Sequence, residues 1–159
     1  MKRTSHALAL GMFATMMLTV SCDLLDCTQE DVSLLRIEVC GTDGVNTPLP
    51  DTLSITASGT ESVLLNRSTN TKSILLPLSY HLAADTFVLH NYGEDYSCKD
   101  TLVVEKTNNI YFESPDCPTV MMHTIQNVSC TNAFIDSAKV NHGKVDFEEV
   151  THLKLYIRQ

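Results

Sequence analysis

From residue 32 onward the apolar side chains recur at every second position, a period that fits a pleated strand and not a helix. Leu35, Ile37 and Val39 alternate with Arg36 and Glu38. Leu53, Ile55 and Ala57 alternate with Thr52, Ser54 and Thr56, and Leu153, Leu155 and Ile157 with Lys154, Tyr156 and Arg158. Each stretch predicts a strand with one buried and one wet face. Further β-rich runs are Ser62–Asn66, Ser73–Leu78, Thr86–His90, Thr101–Lys106, Ile110–Glu113, Thr119–Gln126 and Phe134–Val140. Turn residues punctuate them at Gly41–Gly44, Pro48–Pro50, Asn91–Gly93, Asn108-Asn109 and Asn141–Gly143. No segment carries a capped amphipathic helix. The expected fold is all-β, an antiparallel β-sandwich (immunoglobulin-like or related) of about seven to nine strands. Pro77 places its run at a sheet edge or at its end, because proline cannot donate to a ladder.

Ahead of the strands the sequence changes character. Lys2 and Arg3 precede an uncharged, mostly apolar run, Ala7–Val20, which ends on Ser21-Cys22 and is followed by Asp23, Asp26, Glu30 and Asp31. The run is shorter than the roughly 20 helical residues that span a hydrocarbon core. It reads as an export signal whose cleavage leaves Cys22 first and ready to carry lipid. Leu18-Thr19-Val20-Ser21-Cys22 resembles a bacterial lipobox in relaxed form, with Thr19 where leucine is usual. The expected organisation is a signal peptide at 1–21, a lipidated acidic tether at 22–31 and one β-sandwich domain at 32–159. Each buried methylene of the acyl chains adds about 0.8 kcal/mol, so several chains anchor stably. The implied location is the bacterial cell envelope, lipid-anchored, at the outer membrane in its periplasmic or surface-facing leaflet.

The formal charge is −8, and loss of Lys2 and Arg3 makes it −10. Such a surface repels nucleic acid phosphates and anionic head groups, so a nucleic acid partner is excluded. No catalytic motif stands out: there is no G-x-S-x-G, no H-E-x-x-H and no P-loop. His81, His90, His123, His142 and His152 fall on different predicted strands and turns without ligand spacing. Glu94, Asp95 and Asp100 share one predicted loop but lack a calcium-loop spacing and read as solvated. No catalytic residue, metal or cofactor is therefore expected. The expected role is a binding or structural module held at the membrane through Cys22, with an envelope protein or glycan as partner. The alternative is an enzyme or enzyme subunit whose site is assembled from distant residues.

Cysteines in an exported chain favour disulfides. With Cys22 acylated, Cys27, Cys40, Cys98, Cys117 and Cys130 remain, an odd number. The runs Thr101–Lys106 and Ile110–Glu113 read as a hairpin, which puts Cys98 and Cys117 at one pole. Strand polarity then allows Cys27–Cys117 together with Cys40–Cys130. The rival is Cys98–Cys117, closing the hairpin. No C-x-x-C prearranges a metal site.

Several patterns recur in order along the mature chain. They are Cys22 with Cys27, Leu34–Val39 followed by a turn and Thr52–Ile55, and Ser73–Leu78 with its apolar-Pro-Leu step. Then come Asp100–Val104, the block Ile110-Tyr-Phe-Glu-Ser-Pro-Asp-Cys117, and the closing Thr151–Ile157. Together they resemble a family of small Bacteroidota envelope lipoproteins of unknown function. The resemblance implies a β-sandwich and favours Cys27–Cys117, which leaves Cys40–Cys130 as the second pair and Cys98 free. It implies no catalytic residue. The chain departs from the family in Cys117-Pro118, where Cys-Gly is common, and in the extra Cys40, Cys98 and Cys130. Asp23 after Cys22 fits inner-membrane retention by the enterobacterial rule, whereas the acidic run resembles a Bacteroidota surface-export signal.

Three triplets, Asp51-Thr52-Leu53, Asp100-Thr101-Leu102 and Asp136-Ser137-Ala138, resemble the O-glycosylation signal of exported Bacteroidota proteins. Thr52, Thr101 and Ser137 are the implied acceptors. Thr52 is favoured, because Pro48–Pro50 should hold it in an exposed turn or strand start.

Overall fold

A computed structural model describes Cys27 and residues 32–60 and 62–158. The signal segment, Cys22 and the tether apart from Cys27 lie outside the described residues. Among the described residues there are ten strands and no helix: β1 (Leu34–Cys40), β2 (Thr52–Ala57), β3 (Val63–Ser68), β4 (Ser73–Pro77), β5 (Ala84–Tyr92), β6 (Ser97–Tyr111), β7 (Val120–Cys130), β8 (Ile135–Val140), β9 (Lys144–Val145) and β10 (Leu153–Ile157). They form a four-stranded sheet, β4-β1-β10-β8, and a six-stranded sheet, β3-β2-β5-β6-β7-β9. The β-sandwich expected from the alternation is present. Leu35, Ile37, Leu76, Leu153 and Leu155 of the first sheet share one core with Leu53, Ile55, Phe87, Leu89 and Leu102 of the second. Burying a side chain of this size contributes about 1.5–3 kcal/mol, and this interface supplies most of the driving force. Pro77 ends β4 at the edge of its sheet, opposite Leu34, where a missing donor costs no ladder bond.

The pairing is not wholly antiparallel. β1 and β10 run parallel, with Ile37 opposite Leu153 and Val39 opposite Leu155. The predicted hairpin at Asn108-Asn109 is absent. Residues 97–111 form one long strand paired with β7, with a bulge between Glu105 and Lys106. The Asn108 amide explains the difference, because it is used across the fold instead of closing a turn. Its Oδ1 accepts from Lys106 Nζ (2.7 Å) and faces His123 Nδ1 at 2.8 Å, and its Nδ2 donates to the carbonyls of Tyr80 and Leu82.

A single long β6 moves Cys98 to the opposite pole from Cys117. Cys98 stands at its start and Cys117 in the turn beyond its end, roughly 40 Å of strand apart, so a Cys98–Cys117 bridge is excluded. Cys27 is bonded to Cys117, which ties the entering chain to the β6–β7 turn. The expected Cys40–Cys130 pair is overturned, since both thiols are free. Both lie toward the end away from Cys117, but the four-stranded sheet separates them. Cys40 shares the outer face of β1 with Arg36 and Glu38 and is buried under the turn that returns Asn46 to it. Cys130 packs against the inner core. Burial, then the nearby Glu38 carboxylate, pushes the Cys40 thiol above its ordinary range. Burial and then Asp100 do the same to Cys130, so both stay protonated and weakly reactive.

The Cys27–Cys117 bond closes a separation of 90 residues. Cys117→Ser should lower stability in urea by about 2–4 kcal/mol through the unfolded state. Non-reducing peptide mapping should recover Cys27 joined to Cys117 and Cys40 alkylated only after unfolding. A mapped Cys40–Cys130 peptide refutes the face assignment.

Candidate functional site

Polar side chains occupy inward positions at both ends of the six-stranded sheet. Toward the disulfide end, Asp85 of β5, Lys106 and Asn108 of β6 and His123 of β7 continue the rows of inward apolar residues. The Lys106 side chain is fully buried, yet its ammonium donates to the carbonyls of Ser79 (2.6 Å) and Leu82 (2.8 Å) and to Asn108 Oδ1, with Asp85 at 3.3 Å. Every ammonium proton has an acceptor, so the charge is compensated. The Asn108 Oδ1 acceptor fixes the proton of His123 on Nδ1 and leaves Nε2 as a buried lone pair with no partner. Burial, then the Lys106 charge, pushes His123 from 6.5 down to about 4, so the ring is neutral. His152 has the opposite tautomer, because its Nδ1 accepts from the Arg36 amide. Burial, then His142, holds it below its ordinary value too. This assembly ties the 79–82 loop to the sheet; Lys106 and His123 are enclosed within it, while Ser79, Leu82 and Asp85 also border a cleft of about 430 Å³.

The far end is different. Asp100 is buried, and its two oxygens accept from Thr131 Oγ1 (2.6 Å) and from the amides of Ala133, Phe134 and Ile135 (2.8 Å each). Burial alone would raise this carboxyl, but the four donors outweigh it and hold the group below the usual range. Asp100 is therefore not part of a solvated acidic loop with Glu94 and Asp95. It shapes the segment that carries Phe134. Beside it lies a cleft of about 400 Å³ between the ends of the two sheets. Pro48, Leu49, Pro50, Phe134 and Ile157 give it apolar walls, and Asp51, Asn91, Tyr96 and Arg158 supply polar groups. Asn91 Nδ2 and the Tyr96 hydroxyl both donate to Asp51 Oδ2. The Asp51 bond, then burial, raises the Tyr96 phenol above its ordinary range. Asn91 is almost wholly buried, and its Oδ1 has no partner. Tyr96 lies over Gly93, where any Cβ would collide with the ring.

This arrangement can hold a ligand with both apolar and hydrogen-bonding faces. It sets no nucleophile against a base. Among the described residues the one hydroxyl–imidazole pair, His90 Nε2 with Ser97 Oγ at 2.5 Å, stands on the outer face of the six-stranded sheet, with the His90 ring against Tyr92. Among the described residues no group of three histidine, cysteine or acidic side chains is placed to hold a metal ion.

The glycosylation triplets differ in setting. Thr52 is half-buried at the start of β2, with Asp51 engaged in the cleft and Pro48–Pro50 forming its wall instead of an exposed turn. Thr101 follows the buried Asp100 inside the six-stranded sheet. Ser137 lies on edge strand β8, beside an Asp136 carboxylate that is about half exposed. Sequence reasoning missed Asn91, Tyr96, Phe134 and Arg158. The available signal was Asn91 itself, a polar residue at the inward step after Phe87 and Leu89.

Lys106→Met strands the Asp85 carboxylate and should cost about 3–5 kcal/mol, while the double variant with Asp85→Leu should recover much of it. Urea midpoints of the three variants measure this. The His123 shift has a definite sign. Its folded value lies below the unfolded 6.5, so its contribution is complete above that pH and is lost as pH falls toward about 4. The loss amounts to roughly 3 kcal/mol, and the His123→Gln variant should lack this pH dependence. Denaturation curves at pH 7.5 and 4.5 check both statements.

No curated protein and no solved structure matches the chain significantly. Residues 52–157, from β2 to the last residue of β10, match the family of unknown function DUF6452, and the chain belongs to that family.

Proposed function

We propose that this chain is a lipid-anchored binding module of the bacterial envelope, held at the outer membrane through Cys22, with its cleft turned away from the bilayer. The observation that carries the reading is the place of the Cys27–Cys117 bond. It fixes the chain's entry at the end of the sandwich opposite the cleft. The export signal ending on Cys22 puts the lipid five residues before that bond. The resemblance to Bacteroidota envelope lipoproteins supports the same location. An apolar floor edged by a carboxylate, an amide, a phenol and a guanidinium suits a glycan or a segment of an envelope protein. The role is binding and not catalysis, since the cleft sets no nucleophile against a base and the His90–Ser97 pair lies on an open sheet face. That pair is the one observation on the side of an enzyme. Ser137 is the best placed O-glycosylation acceptor, because all three hydroxyls are half-buried but β8 is an edge strand, whereas β2 and β6 have neighbours on both sides.

A fatty-acid probe should label the wild type in its native host and leave Cys22→Ala unlabelled in the soluble fraction. Cleavage elsewhere than Ser21–Cys22 removes the anchor from the reading. A photo-reactive phenylalanine at position 96 should give an envelope adduct that the same group at position 139 does not, and equal adducts remove the cleft. His90→Ala should leave any envelope phenotype intact; its loss in a folded variant favours the enzyme. The intact mass should exceed peptide plus lipid, and Ser137→Ala should remove the excess.

A further inference from the structure

Exposed apolar side chains are unevenly distributed over the sandwich. Ile110 (73% exposed) and Phe112 (57%) crown the end of β6, and Leu82 (57%) with Tyr80 stands on the neighbouring β4–β5 loop. Val32 and Leu34 lie beside the point where the chain enters β1. All six sit at the disulfide end. Of the exposed large apolar side chains among the described residues, only Val45 and Tyr96 sit at the far end. An apolar rim of this kind marks a contact surface.

The covalent chain restricts what can cover it. Five residue steps separate Cys22 from Cys27, and an extended chain spans at most about 3.6 Å per residue, so Cys27 stays within about 18 Å of the lipidated residue. Cys27 is bonded to Cys117 in the turn that follows Phe112. We infer that the disulfide end, with Ile110, Phe112 and Leu82 at its rim, rests on the bilayer that holds the Cys22 lipid, through shallow apolar insertion. This inference rests on the anchoring reading above. Among the described residues Glu113 and Asp116 stand near the rim and no lysine cluster does, so insertion is apolar and not an attraction to anionic lipid. Contact on a zwitterionic bilayer should therefore persist in high salt. The rim and the tether together orient the sandwich with its cleft outward.

The chain has no tryptophan, so Phe112→Trp and Val45→Trp each place a single reporter. Each full chain is processed in its native host, its acyl mass is confirmed, and it is reconstituted into phosphatidylcholine vesicles with and without brominated acyl chains. The Phe112→Trp emission should shift to the blue and lose at least about half its intensity to the brominated lipid. The Val45→Trp emission should not change, and Ile110→Ser on the Phe112→Trp background should weaken the quenching. Urea midpoints equal to wild type verify that each variant folds. Acylated protein whose two reporters are equally accessible to water overturns the inference alone. Mature protein without acyl mass overturns the anchoring reading and the inference with it. A blue shift without bromolipid quenching that grows with protein density assigns the rim to a second copy and overturns the bilayer contact.

Discussion

The parallel pairing of β1 with β10 is the contact on which the rest of the molecule depends. β1 occupies an interior place in its sheet, between β4 and β10, so it is the first described strand and also a structural centre. Removing it would leave β4 without a partner and would expose the inner faces of Leu53, Ile55 and Phe87. The pairing joins residues more than 110 positions apart, as the Arg36 amide bonded to His152 Nδ1 shows. Closure on that scale costs conformational entropy before any packing returns it. The remaining strands form mostly by local antiparallel pairing, and the four-stranded sheet is complete only when both termini have docked. The Cys27–Cys117 bond acts on this problem, since it restrains the segment entering β1 against the β6–β7 turn.

The two ends of the core use buried charge differently. At the disulfide end a cation, Lys106, is surrounded by two carbonyls, an amide oxygen and Asp85. At the far end an anion, Asp100, is surrounded by three amides and a hydroxyl. Both charges gather loop backbone that would otherwise have unpaired groups near the core edge. Lys106 fastens the 79–82 loop, and Asp100 fastens 131–135. The second arrangement has a consequence for binding, because it holds Phe134 rigidly as a cleft wall. On this reading Asp100 is a positioning residue, removed from any ligand.

Period-two patterning made the sandwich legible, because inward Leu35, Ile37 and Val39 or Leu153, Leu155 and Ile157 can face a core only in pleated strands. The edge place of β4 was equally readable from Pro77. What misled was turn chemistry. Asn108-Asn109 has the composition of a hairpin turn, but the Asn108 amide serves Lys106, His123 and two carbonyls, partners up to 28 residues distant. A local rule cannot register that competition. The misplaced turn put Cys98 at the wrong pole, whereas Cys40 and Cys130 do share an end and fail to pair because they lie on different faces of the four-stranded sheet. The cleft was less legible still, since it combines the loop before β2, the β5–β6 turn and the ends of β8 and β10. Those segments meet only when both sheets are assembled.

One signal was present and can be used more widely. Asp85, Asn91, Asp100, Lys106 and His123 all stand at inward positions of strands whose other inward residues are apolar. An inward polar residue is costly unless its partners exist, so each one announces a hydrogen-bonded assembly somewhere in the fold. Reading the alternation for its violations would have marked both ends of the six-stranded sheet. It would not have separated the disulfide end from the cleft end. That distinction comes from what the loops add: at the disulfide end they enclose the Lys106 ammonium, whereas at the far end they leave a cleft bordered by Asp51, Asn91, Tyr96 and Arg158. Each end also keeps one buried acceptor without a partner, His123 Nε2 at the first and Asn91 Oδ1 at the second, so the fold leaves a polar group unsatisfied at both.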